Sequence, residues 1–118
     1  MIGRHSDDQY VQVLDGIKIK TLVHGVSSLM TEFKLAGGSM LPAHSHPYEQ
    51  TGYLVSGSIT LFIGESGFPM KPGDSWCIPS GEPHRAEIHA DSVALEVFSP
   101  PREDYKKYLC EAHVIRNG

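Results

Sequence analysis

The sequence predicts an all-β protein, a single sandwich or barrel, and three observations carry that expectation. Short apolar or alternating runs recur between turn signals, the rhythm of a chain that folds back on itself in strands. Helical periodicity is confined to the last part of the chain. The length of 118 residues suits one domain, and 40% hydrophobic with 20% charged residues is ordinary globular usage that opposes disorder.

Taken in order, residues 10–14 and 17–23 flank Asp15-Gly16, a dipeptide that tolerates a tight hairpin turn. Residues 28–35 then run into Gly37-Gly38. Segments 51–55 and 58–63 flank Ser56-Gly57 ahead of Gly64-Glu65-Ser66-Gly67, which predicts a meander in the middle of the chain. Pro72-Gly73-Asp74 and Pro79-Ser80-Gly81 bracket a strand over 75–78, because proline and glycine interrupt ladders. Strands over 84–88 and 93–98 follow. After Ser99-Pro100-Pro101 the pattern turns helical over 102–109, and the residues beyond Cys110 read as a strap or a frayed end. No repeat divides the chain, so residues 1–118 are read as one domain.

Several function classes fall away at this level. No apolar run approaches the roughly 18–20 residues that span a bilayer, and the opening MIGRHSDDQY lacks the apolar segment of a secretion signal. A cytoplasmic protein without a membrane role is therefore expected. The net charge of -4 and pI near 5.9 offer no basic footprint for nucleic acid; a small molecule is the expected partner. Cys77 and Cys110 form no CxxC pair, so reduced thiols are the default.

Chemistry concentrates in the histidines. His44 and His46 are two apart in an extended segment, where alternate side chains share a face. Gln50 follows shortly, and His84 lies more than thirty residues on, so distant strands must converge to bring it there. Imidazole suits Zn, Cu, Fe and Ni, and three imidazoles with one oxygen donor leave positions open for water or substrate. An isolated His-x-His is weak on its own, being more often a hydrogen-bonded surface pair. Glu49 is a rival oxygen ligand, although strand alternation turns it from the face of His44, His46 and Gln50.

The wider spacing resembles a known family. Gly38, five residues, His44-Ser45-His46, then Gln50 and Gly57 resemble the first cupin motif over 38–57. Gly73, five residues, Pro79-x-Gly81 and His84 resemble the second over 73–88, with Ile88 where that motif carries Asn. The resemblance implies a cupin-type double-stranded β-helix, or jelly-roll barrel, with a short C-terminal helix in the tail 101–118. It also implies one divalent transition metal (Zn, Ni, Fe, Mn or Cu) held by His44, His46, Gln50 and His84. Gln50 stands where the motif often has Glu. An all-neutral ligand set leaves the ion more electrophilic and favours an anionic ligand.

Along residues 93–98, Val93, Leu95 and Val97 share one face while Ala94, Glu96 and Phe98 share the other. Composition alone expects a strand glutamate to be exposed. The run over 95–105 resembles the tail of small single-domain cupins of the KdgF type, which ketonise unsaturated uronates. That resemblance implies catalytic roles for Glu96, Phe98 and Arg102, with Glu in place of the family's shorter Asp. Read without it, Phe98 is core and Arg102 pairs with Glu103 or Asp104 at a helix start. Other functions in keeping with a cupin are a metal-dependent dioxygenase and a non-catalytic carbohydrate-binding or sensing module. Sheet edges predict a homodimer. Tyr48, Tyr53, Trp76, Met40 and Cys77 read as packing residues, His5, His24, His89 and His113 as surface residues, and Lys106 and Lys107 as cations near a helix end.

Overall fold

The computed structural model describes residues 1–116. Among these the strands are β1 (Ile2–Gly3), β2 (Val11–Leu14), β3 (Ile17–His24), β4 (Leu29–Leu35), β5 (Met40–His44), β6 (Glu49–Ile63), β7 (Ser66–Met70), β8 (Ser75–Ile78), β9 (His84–Ser99) and β10 (Val114–Ile115). All pairings are antiparallel save one parallel bridge from Thr21 to Leu109. No helix among the described residues is long and apolar enough to cross a membrane.

Two long strands organise the jelly roll. β6 and β9 pair from Glu49↔Ser99 at one end to Ile63↔His84 at the other, with register shifts between Leu54 and Ile59. The first half of β6 and the second half of β9 join β8 and β4, which continues through β3 to β2. Their other halves join β7 and β5. Each long strand thus serves both layers, and the buried side chains of the two layers form one core. Leu54, Trp76, Ile78 and Ala94 of one layer meet Ile59, Leu61, Ala86 and Ile88 of the other.

The expected hairpin at Ser56-Gly57 is absent, because the chain stays within β6. Gly57 has φ +99°, and a Cβ there would lie 2.0 Å from Ser92 Oγ. The irregularity is a bulge, which bends a strand and shifts its inward parity. Inward residues are Gln50 and Leu54 before it, Ile59 and Leu61 after it. Likewise the expected strands 84–88 and 93–98 are one strand, with even positions buried from His84 to Phe98 except at the exposed 90. Four further strands, β1, β5, β7 and β10, escaped the sequence reading.

The terminal helix is shorter than expected: α1 covers Glu103–Lys106, without a side-chain cap. Lys106 lies in its last turn and bonds Glu103 at 2.8 Å. Beyond it a 3-10 turn at Glu111–His113 leads into β10, which pairs with β1 and closes a two-stranded strap. The last two residues of the expected tail lie outside the described residues. Cys77 and Cys110 are free thiols, and Cys77 is exposed rather than buried. Its neighbours Trp76 and Ile78 take the inward positions of β8.

Candidate metal centre

One end of the barrel is formed where β5 stops, β9 starts, β6 starts and β9 stops. His44 is the last residue of β5 and pairs in register with His84, the first of β9. His46 lies in the short connection to β6, whose second residue is Gln50, paired with Phe98. The rings of His44 and His84 are 4.1 Å apart between centroids, and those of His46 and His84 4.9 Å. One ligand atom from each of the three lies within 4.8 Å of the others.

Backbone carbonyls fix how these rings face. His44 Nδ1 meets the Pro42 carbonyl at 2.8 Å, His46 Nδ1 that of Tyr48 at 3.1 Å, and His84 Nδ1 that of Glu82 at 2.9 Å. A carbonyl only accepts, so each Nδ1 carries the proton and each Nε2 keeps a lone pair. Burial lowers the pKa of His46, and it lowers that of His84 to about 4, with His44, His46 and Arg102 adding repulsion. Both rings are therefore neutral at pH 7. His84 is 2% exposed, and its Nε2 is buried without a hydrogen-bond partner. An orphaned buried acceptor of this kind is costly alone and apt for a cation.

Gln50 adds a fourth donor. Its Oε1 lies 2.9 Å from His46 Nε2, although that ring's one proton is already on Nδ1. Two lone pairs face one another there, an arrangement that a shared cation relieves. The other end of the same amide bonds the carboxyl of Glu96. Glu49 is exposed, as alternation implied, and points from the cluster. The donor set of three imidazoles and an amide oxygen suits a divalent transition ion.

Glu96 is buried, against the compositional expectation of exposure. It sits on the inward parity of β9 with Ala94 and Phe98. Trp76 Nε1 donates to its Oε2 at 3.2 Å. Desolvation raises its pKa to about 8, against the opposing pull of the Gln50 and Trp76 hydrogen bonds. Gly52 pairs in register with both Trp76 and Glu96, and a Cβ at that position would lie 2.1 Å from the indole nitrogen and 2.5 Å from the carboxyl. Glycine is thus the residue that lets the indole reach the carboxyl across β6. The inward parity of Trp76 was available from sequence; its bond to Glu96 was not, since it depends on pairing.

Arg102, just before α1, stands at the rim. Its Nε and Nη2 donate to the two Asp104 oxygens at 3.2 and 2.8 Å, as the helix-start reading expected. Its guanidinium also lies 3.7 Å from the Tyr105 ring centre, 5.1 Å from that of Phe98 and 5.4 Å from that of Tyr48. Phe98, 2% exposed, packs edge-on to His46. A cavity of about 60 Å³ has His44, Gln50, His84, Glu96, Phe98 and Arg102 in its lining, room for a few water-sized groups. The other packing expectations divide: Trp76 is buried and Tyr48 half-buried, while Tyr53 and Met40 are exposed.

Comparison with known proteins gives three findings. The cupin domain family matches residues 31–99, more than half of the chain. L-ectoine synthases from two Mycobacterium strains, KMS and MCS, are 32% identical over 79 residues, covering 65% of this chain and 61% of each relative. The chain thus aligns with less than two thirds of those relatives' length. Among solved structures, KdgF from a Halomonas species superposes with a TM-score of 0.84 at 25% identity, covering 88% of this chain and 98% of that one. An RmlC-like cupin from Shewanella frigidimarina gives a TM-score of 0.78 at 23% identity, with coverages of 81% and 86%.

Proposed function

The chain belongs to the cupin family, and from that premise we propose that it is a metal-dependent enzyme that ketonises 4,5-unsaturated uronates or a closely related small sugar acid. The observation that carries this reading is the buried carboxyl of Glu96 lining the same cavity as His44 and His84. The likeness to the Halomonas KdgF over most of both chains supports it.

His44, His46, His84 and Gln50 would hold the ion. Bound there, a divalent metal supplies Lewis acidity toward a substrate oxygen. The C1 hydroxyl proton would pass to the ring oxygen as the C1–O bond breaks, leaving an aldehyde and an enol. Glu96, protonated near neutral pH because it is desolvated, then donates a proton to C4 of the opened chain while the enol hydroxyl gives one up, so tautomerisation is a net move from oxygen to carbon. Gln50 and Trp76 hold that carboxyl in place. Arg102 keeps Nη1 for a substrate carboxylate while Asp104 takes its other edge. Phe98 forms an apolar wall that excludes water.

The test is the loss of ultraviolet absorbance of 4,5-unsaturated galacturonate or mannuronate on adding metal-loaded protein. A rate no faster than that of His84→Ala overturns the reading, and oxygen uptake in its place marks a dioxygenase. The L-ectoine synthase relatives favour a second reading, formation of L-ectoine. Its appearance when that synthase's substrate replaces the uronate decides between the two. The exposed edge strand β2, with Val11, Val13 and Leu14 on its surface, supports a homodimer, which light scattering at twice the chain mass checks.

A further inference from the structure

A second cavity, of about 280 Å³, lies outside the barrel beneath the strap that joins the chain's two end segments. At its base is Lys20 of β3, 5% exposed. Two N–H groups of its ammonium go to the Ser6 carbonyl at 3.0 Å and the Ser6 hydroxyl at 2.7 Å. The Tyr10 ring lies 4.2 Å from Nζ. Among the described residues no carboxylate stands within ion-pair distance of Lys20. Its cross-strand partner Glu32 accepts instead from the Tyr10 hydroxyl. Buried charges are ordinarily paired, because an uncompensated one costs several kcal/mol.

We propose that this cavity is a ligand site for a small aliphatic carboxylate, with Lys20 as the counter-charge. The third N–H of the ammonium is the donor left for it. Arg4, which also lines the cavity, makes no side-chain hydrogen bond or ion pair among the described residues, so its guanidinium closes over the same anion. The buried ammonium of Lys20 and the exposed guanidinium of Arg4, against the one carboxylate of Glu32, suit a monoanion rather than a phosphate dianion. Leu22, Val23, Met30 and Val114 in the lining receive a short hydrocarbon body. The histidines there are already engaged, His5 with Asp7 and His113 with Asp8, at 3.2 and 3.1 Å. A ligand so placed touches both end segments and β3 at once, and it owes nothing to the barrel metal.

Butyrate is the probe, titrated into metal-loaded protein labelled with nitrogen-15. Saturable shifts are expected at the amides of Arg4, Ser6, Lys20 and Val114, unchanged in His84→Ala. Lys20→Met, similar in size, weakens binding by about tenfold or more; Arg4→Gln, at the exposed rim, weakens it by about threefold. Shifts that stay linear, shifts centred on His44 and Phe98, or equal affinity in Lys20→Met would each overturn the site. His84→Ala removes the barrel reading's activity while leaving this binding, so the two stand or fall separately.

Discussion

The two ends of the barrel are built from the same two long strands, whose tips meet at one end and whose middles form the other, yet they do opposite things. At the closed end Leu54, Ile59, Leu61 and Ile88 pack into one apolar cluster. At the open end the inward positions carry Gln50, His84, Glu96 and Phe98. Burial there is nearly as complete, but each polar group is tethered: imidazole Nδ1 atoms to backbone carbonyls, Gln50 to Glu96, Glu96 to Trp76. The difference teaches that one end spends its burial on stability and the other on holding lone pairs and a neutral acid in place.

Breaking the closed end has the largest expected effect. Leu54→Ala, at 0% exposure, should cost about 2–5 kcal/mol in denaturant unfolding while the folded fraction keeps its metal stoichiometry. At the open end, Glu96→Gln should raise the stability of metal-free protein. The native carboxyl titrates near 8 against an unfolded value of 4.5, so the unfolded chain ionises first and stability falls as pH rises from 4.5 to about 8. The variant lacks that fall, a gain of roughly 1.4 kcal/mol per pH unit and on the order of 3 kcal/mol by pH 7. Unfolding curves for both proteins at pH 5 and 7 check it, and parallel curves would contradict it.

His84→Ala should lower metal affinity by about 100-fold or more, beyond what outer-shell changes do, as measured by competition with a chelator. If it also destabilised the metal-free protein as much as Leu54→Ala, the contrast between the ends would collapse. The smallest effect falls at the rim. Asp104 is over half exposed in its pair with Arg102, so Asp104→Asn should change stability by less than about 1 kcal/mol. It frees the guanidinium fork, and the Michaelis constant for an anionic substrate should drop a few-fold with the turnover number little altered.

Local chemistry made much of this readable. Alternation along residues 93–98 put Glu96 on the face of Ala94 and Phe98, whereas Cys77, read as a packing residue, is exposed by the same parity that buries Trp76. The reading that Glu96 would be exposed erred because composition knows nothing of which face a sheet turns inward. The hairpin expected at Ser56-Gly57 erred for a related reason: glycine with positive φ serves a bulge as readily as a turn, and only the partner strand distinguishes them. β5 and β7 escaped because both are short and carry proline.

What the sequence determined by itself was the all-β class, through period-two patterning, and the cupin resemblance, through the spacing of glycines, prolines and histidines around His44, His46, Gln50 and His84. Tertiary structure alone decided that three Nε2 atoms face one another and that Trp76 reaches Glu96 across Gly52. It also decided that Lys20 is buried under the strap with no ion-paired carboxylate among the described residues. Each of these is a relation between strands distant in sequence. Register and bulges set such relations, and they follow from the packing of the whole barrel rather than from any local run of residues.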